Sequence, residues 1–215
     1  MPKLLVIIGS TRPTRSADLV IPWLTEKVSQ HAAFDAELVD LRDWPLPIFA
    51  EHFGTIGDFT DPSYSDPVVK AWNNKIKSAD AYVIVTPEYN HSVPGVLKNA
   101  IDSVFVSFAL RNKPIAAIGY SGGTAAGVRA IEHLAHIAIE AEMVPLRNAV
   151  IIPQVASAFG EDGEPLDREI DIRLTVLLDD LAWWSAVLER ARAEGELAPG
   201  AMRARAAAAS SPPSA

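Results

Sequence analysis

Three short segments concentrate the residues able to do chemistry. The first, Gly9-Ser10-Thr11-Arg12-Pro13-Thr14-Arg15-Ser16, joins an apolar run at residues 4–9 to the start of a helical pattern. Free backbone amides and the positive end of a helix dipole make such a junction an anion site. Ser10, Thr11, Thr14 and Ser16 add hydroxyls, and Arg12 and Arg15 add positive charge. The segment lacks the GK[ST] ending of a Walker A loop, and the G-x-G-x-x-G fingerprint is missing too. Phosphate binding fits it best; the plainer alternative is a hydroxyl-rich helix cap with two solvated arginines. The second segment, Thr86-Pro87-Glu88-Tyr89-Asn90-His91-Ser92-Val93-Pro94-Gly95, is polar between two prolines, which stiffen it. Tyr89 suits packing against a planar ring and Asn90 suits pairing with an amide edge. Glu88 and His91 are of types that do acid–base work, although Glu88 could simply cap the helix after Pro94 and His91 could be surface. In the third segment, Gly119-Tyr120-Ser121-Gly122-Gly123-Thr124, adjacent glycines at a strand-to-helix junction let backbone approach a ligand, or make a plain tight turn.

One ligand satisfies all three: a phosphate at the first loop and a flat heteroaromatic ring between the other two. FMN has that shape. ATP would want a magnesium carboxylate and a lysine in the phosphate loop, and neither is evident.

The elements that must position these loops alternate. Apolar runs at 4–9, 37–41, 81–86, 115–119 and 150–152 read as strands, the run at 4–9 as one buried on both faces. Helical periodicity covers 16–31, 67–79, 96–108, 123–142 and 167–192, with Pro22 a blemish in the first helix and Asp66 a candidate cap for the second. Residues 43–64 and 156–165 read as loops. The pattern predicts an α/β three-layer sandwich with a five-stranded parallel sheet and helices on both faces. In the order 2-1-3-4-5 the chain reverses direction between strands 1 and 3, and ligands bind beyond the carboxyl ends of strands at that switch point. The three loops follow strands 1, 3 and 4, which are neighbours in that order. Residues 1–194 read as one domain. Residues 195–215, rich in Ala, Pro and Ser, are expected to be a disordered tail.

Composition narrows the chemistry further. The chain has 215 residues and no cysteine, which excludes disulfides, iron–sulfur clusters, zinc-thiolate sites and a cysteine nucleophile. Redox chemistry must therefore come from a cofactor. A net charge of -8 makes the chain a poor general binder of nucleic acid or anionic membrane. No signal peptide and no membrane-spanning run is visible, so a cytoplasmic protein is expected.

At these loops the sequence resembles the NADPH-dependent FMN reductase family of flavodoxin-like proteins, which includes quinone, azo-dye and chromate reductases. The resemblance rests on Gly9-Ser10-Thr11-Arg12 with Ser16, on Pro87-Glu88-Tyr89-Asn90 with Pro94-Gly95, and on Tyr120-Ser121-Gly122-Gly123. It implies that Ser10, Arg12 and Ser16, with Arg15, hold the FMN phosphate. It implies that Pro87, Glu88, Tyr89, Asn90 and His91 border the isoalloxazine and ribityl chain, and that Ser121, Gly122 and Gly123 approach the ring. It further implies NADPH or NADH as hydride donor, a small-molecule acceptor, ping-pong turnover and a homodimer or homotetramer. Two other readings keep the cofactor: a flavodoxin-like single-electron carrier, and an FMN-binding regulatory protein with little turnover. The family pattern does not explain the Ala-rich tail.

Other features are read more plainly. Glu132, His133 and His136 lie at helical spacing without the H-E-x-x-H order, and are expected to form a polar helix face rather than a metal site. Trp183 and Trp184 are expected in the core or a subunit contact. The apolar segment at 44–49 could pack under the fold or cover a neighbouring subunit's flavin. Arg203 and Arg205 suit a solvated segment better than a nucleic-acid arm.

Overall fold

The structure is a computed structural model describing residues 1–210. Its strands are β1 (Lys3–Ile8), β2 (Asp35–Asp40), β3 (Ala81–Pro87), β4 (Pro114–Tyr120), β5 (Val144–Pro145) and β6 (Val150–Ile152). Its helices are α1 (Ala17–Gln30), α2 (Pro67–Lys77), α3 (Gly95–Phe105), α4 (Val128–Glu140), α5 (Arg168–Glu194) and α6 (Gly200–Ser210). The sheet order is β2-β1-β3-β4-β5, every pairing is parallel, and β6 also pairs with β4. The expected order holds, but its fifth position is filled by two short pieces in tandem. β5 pairs with the start of β4 (Pro114 with Val144), and β6 with its end (Tyr120 with Ile152). Pro145 has no amide to continue the ladder, and Leu146 makes one more bond to Ile115 O before the chain leaves the sheet.

Side-chain alternation divides the core between the two faces. Leu4, Val6, Ile8, Val83, Val85 and Ile118 pack with α1 and α5. Leu5, Ile7, Tyr82, Ile84, Ile115 and Ala117 pack with α2, α3 and α4. Both faces are covered, so the central strands are apolar without interruption, as a parallel sheet requires. Pro22 sits exposed in α1 without ending it. Asp66 caps α2 and Asp167 caps α5 through their side chains. The segment between β2 and α2 holds only a three-residue 3-10 turn (Leu41–Asp43) and closes over a small core of Ile56, Tyr64, Val69 and Val106.

Two boundaries depart from the periodicity. The fourth helix begins at Val128, not Gly123, because Ala126 (φ 55) and Gly127 (φ 85) turn left-handed before it. A Cβ on Gly127 would stand 2.7 Å from the Tyr120 amide nitrogen, so only glycine allows this crossing. The segment from residue 195, expected to lack order, instead contains α6. Its alanines favour helix, and Gly200 N donates to Glu142 Oε1 (3.3 Å) while Asn112 Nδ2 donates to Glu196 Oε1 (2.6 Å). Residues 211–215 of the expected tail lie outside the described residues.

Candidate active site

The loops after β1, β3 and β4 meet at the carboxyl edge of the sheet because those strands are adjacent: Ile8 pairs with Val85, and Pro87 with Tyr120. Gly9 seals the first junction. Its amide donates to Val85 O (2.8 Å), and a Cβ there would come within 2.9 Å of the Leu97 side chain. The next residue, Ser10, is fully buried, and its Oγ lies 2.7 Å from Tyr89 Oη. The Tyr89 ring thus covers the first loop, and the Arg12 guanidinium stacks on that ring at 5.3 Å from its centre.

The two arginines of the loop have different fates. Arg15 is turned inward. Its guanidinium donates to Ser10 O (2.6 Å), to Asp18 Oδ1 (2.8 Å) and, in a two-point pair, to both Asp40 oxygens (2.6 and 2.5 Å). The Asp40 hydrogen bond holds its pKa above the ordinary arginine value. Arg15 therefore braces the loop, contrary to both its expected place on the phosphate and the solvated alternative. Arg12 is exposed and, among the described residues, makes no ion pair with a carboxylate. Ser16 stands at the N-cap of α1 without a side-chain capping bond. Arg42, which sequence reasoning missed, clamps the loop from outside through Arg12 O (2.5 Å), Pro13 O (3.2 Å) and Asp18 Oδ2 (3.3 Å). Nothing in its immediate sequence marks it.

In the second loop Tyr89 and Ser92 exchange backbone hydrogen bonds (2.9 and 3.1 Å) around Asn90 (φ 49) and His91 (φ 67). Two consecutive left-handed residues are uncommon outside glycine, and they present both side chains at the exposed tip. Pro87 is buried as the last residue of β3. Glu88 does not cap α3, whose N-cap Pro94 has no side-chain bond. Instead its carboxylate, 6% exposed, accepts from Arg129 N (3.2 Å) and Nε (2.6 Å) and pairs with Nη2, tying the loop to the first turn of α4. A buried, paired carboxylate is poorly placed to carry protons. His133 binds Ser92 Oγ through Nδ1 (2.9 Å), and no metal-ligand cluster exists among the described residues.

The third loop is fixed by Ser121, whose amide donates to Ile152 O (3.2 Å) and whose Oγ donates to Gly123 O (3.0 Å). Gly122 and Gly123 are exposed, and a Cβ on either meets no atom within 4 Å. Unlike Gly127, they are not demanded by the fold, so the space above them is open to a ligand. A cavity of about 620 Å³ adjoins the first loop, lined by Thr11, Leu41, Trp44, Leu46, Val96 and Asn99. The 44–49 segment forms its wall. Trp44 packs on Trp72 (5.0 Å) and Asn99 holds Phe49 N (2.8 Å) and Pro47 O (2.9 Å), while Ile48 is 83% exposed. The segment thus packs on its own chain yet leaves one apolar tip free. Trp183 (61%) and Trp184 (36%) lie on the outer side of α5, not in the core.

The site therefore has an anion end rich in hydroxyls, helix amides and one unneutralised arginine, and an open planar end bordered by a strained turn and two glycines. Those features fit a flavin mononucleotide: phosphate at the anion end, ring at the planar end. The chain matches the model of the NADPH-dependent FMN reductase family over residues 2–157. It is 35% identical over 155 residues to an NAD(P)H-dependent FMN reductase of Schizosaccharomyces pombe, covering 71% of this chain and 74% of that one. An FMN-dependent NADPH-azoreductase of Staphylococcus aureus is 29% identical over 185 residues, covering 82% and 92%. Among solved structures, FerB, a flavoenzyme NAD(P)H:(acceptor) oxidoreductase from Paracoccus denitrificans, superposes with a TM-score of 0.69 at 25% identity, covering 86% of this chain and 98% of that one. The resemblance carried by the three loops is borne out: this chain belongs to the NADPH-dependent FMN reductase family, oxidoreductases that work through FMN with NAD(P)H as donor.

Proposed function

We propose that the protein passes two electrons from NAD(P)H through bound FMN to a small acceptor, such as a quinone, a flavin, an azo compound or a metal oxyanion, by a ping-pong sequence. Ser10, Arg12, Ser16 and the first amides of α1 hold the phosphate, and Arg15 keeps that loop in shape. Pro87, Tyr89, Asn90 and His91 border the ring on one side and Ser121, Gly122 and Gly123 on the other, with Glu88 anchoring the border to α4. FMN supplies the hydride acceptance and release. The chain orients the ring, keeps one side open and stacks each partner there in turn. For a quinone the balance is NAD(P)H + H⁺ + quinone giving NAD(P)⁺ + hydroquinone. The added proton comes from solvent at the open face, since Glu88 is tied to Arg129.

The observation that carries this reading is Arg12: it stands in the hydroxyl-rich loop that leads into α1 with no carboxylate to neutralise it among the described residues, while Arg15 and Arg42 are both paired. Such a place is built for an anion. The helix face bearing Ile172 (47% exposed), Val176 (43%) and Trp183 (61%) supports assembly as a homodimer or homotetramer. No helix among the described residues is long and apolar enough to cross a membrane. The test is spectroscopic. Protein loaded with FMN and given NADPH without oxygen should bleach within the mixing time, then reoxidise on addition of a quinone. Protein that never takes up FMN, or a loaded form that NAD(P)H alone cannot bleach, would overturn the proposal.

A further inference from the structure

Three buried side-chain polar atoms among the described residues have no hydrogen-bond partner: His31 Nδ1, Ser185 Oγ and Tyr120 Oη. His31 follows the C-terminal end of α1 and Ser185 lies within α5. Tyr120 is different, because it belongs to the carboxyl edge where the three loops meet. It is the last residue of β4, 2% exposed, and its ring packs with the β1, α1 and α5 side of the core. Burial pushes its ionisation well above the ordinary tyrosine range; Tyr89, Arg15 and Asp18 act on the hydroxyl through charge, and Ser10 is the neighbour that acts on it as a hydrogen-bonding side chain, though short of full hydrogen-bond geometry in this structure. All four belong to the first loop, the start of α1, or the tyrosine that covers them.

Of these neighbours, the guanidinium of Arg15 is taken by Ser10 O, Asp18 and Asp40, and the carboxylate of Asp18 by Arg15 and Arg42. The Ser10 hydroxyl has capacity left: it offers one proton and two lone pairs, and Tyr89 engages it once. An unpaired hydroxyl in a dry interior is costly, and phenylalanine would fill the same space without that cost. The Tyr120 hydroxyl is thus explained by a state in which it is paired.

We propose that Tyr120 is a positioning residue for the phosphate end of FMN: its phenol donates to Ser10 Oγ, which leaves the single Ser10 proton for a phosphate oxygen. This rests on the FMN reading above. With Tyr120 donating into one lone pair of Ser10 and the Tyr89 hydroxyl turned to donate into the other, the Ser10 proton is left only the phosphate as its acceptor. A chain of donors ending on an anion also polarises each member and strengthens the last bond. The free protein carries the unpaired hydroxyl as a small instability, which FMN phosphate relieves.

The experiment compares wild type with Tyr120→Phe, Ser10→Ala and the double variant. Each is prepared free of flavin and titrated with FMN and with riboflavin, which has the ring and ribityl chain but no phosphate. Tyr120→Phe should leave the Tm of the flavin-free protein equal to or above that of wild type. It should weaken FMN about 10-fold and leave riboflavin unchanged. In the Ser10→Ala background it should weaken FMN no further. A flavin-free Tm below wild type would mean that the hydroxyl is already paired, and would overturn the proposal. So would unchanged FMN affinity, equal losses for FMN and riboflavin, or additive losses in the double variant. Failure of wild type itself to bind either flavin would sink the FMN reading instead, which the same titration reveals first.

Discussion

The Ser10 hydroxyl lies 2.7 Å from that of Tyr89, so the buried serine of the first loop is held by the tyrosine of the second. One hydrogen bond closes the first loop against the second. On the proposed reading, a Ser10 proton given to Tyr89 in the free protein is one that the FMN phosphate must win. Tyr89→Phe keeps the ring that stacks under Arg12 but removes the competing hydroxyl. Its FMN association rate should rise several-fold and its affinity should not fall. Stopped-flow quenching of FMN fluorescence measures both, and slower association would show that the hydroxyl assists entry.

Arg15 and Asp40 set a second expectation, about acid stability. Burial alone would raise the Asp40 carboxyl, but hydrogen bonds from Arg15 and Arg42 overcome it and hold the group below the ordinary carboxylate range. A carboxylate depressed in the folded state stabilises the fold above its unfolded pKa, about 4, and loses that contribution as pH falls through the folded value. Arg15→Met should therefore cost roughly 3–5 kcal/mol at pH 7, where it strands Asp40, and much less near pH 3. Urea unfolding at the two pH values checks this. A gap that does not narrow in acid would assign the loss to packing instead of charge.

The glycines of the third loop separate fold from ligand. Gly127→Ala forces a Cβ against the Tyr120 amide at φ 85 and should destabilise the free protein by about 2 kcal/mol or more. Gly122→Ala and Gly123→Ala meet nothing in the free chain, so the flavin-free Tm should hold or rise slightly. On the proposed reading their penalty should instead fall on FMN affinity and on acceptor turnover, because the added methyl enters the space that reading gives to the ring. Thermal melts with and without FMN separate the two classes. A Gly122→Ala protein that binds FMN and turns over like wild type would remove this loop from the site.

The convergence of the three loops was legible because it depends on few things: continuous apolar runs, right-handed crossovers and strand adjacency. The roles of the charged residues were not. Arg15 looks like a phosphate ligand until Asp40, at the far end of β2, takes a donor from each of its two Nη atoms. Glu88 looks like an acid or a cap until Arg129, on α4, claims it. Both choices are made by tertiary contacts between residues 25 and 41 positions apart, which no local pattern records. The late start of α4 has the same origin: the chain around Ala125 and Ala126 reads as helix, and it is the crossing of Gly127 over Tyr120 that forbids it. The fifth strand was found only in its second half, because two residues at Val144–Pro145 leave too short a signal.

At the opposite edge of the sheet, Lys113 makes the alkaline side of the stability curve informative. It is buried at the start of β4, where its Nζ donates to Lys77 O (3.0 Å), Ile76 O (3.4 Å) and Tyr82 Oη (3.3 Å), all of them uncharged. Burial, helped by the charge of Arg192 and opposed by Asp80 and Glu196, lowers its pKa to about 7. In the unfolded chain the same lysine titrates near 10.4. Between these values the unfolded state binds more protons, so the stability of the fold should climb as pH rises from 7 towards 10. The full difference of one proton corresponds to about 1.4 kcal/mol per pH unit. Lys113→Met removes that proton and should flatten the climb between pH 7 and 9, whatever it does to stability at pH 7 by taking a donor from the Lys77 carbonyl and one of several from the Ile76 carbonyl. Denaturant unfolding at pH 7, 8 and 9 on both proteins is the measurement. Parallel pH dependences would show that Lys113 stays charged in the fold, with the α2 carbonyls and the Tyr82 hydroxyl solvating its ammonium group in place of water.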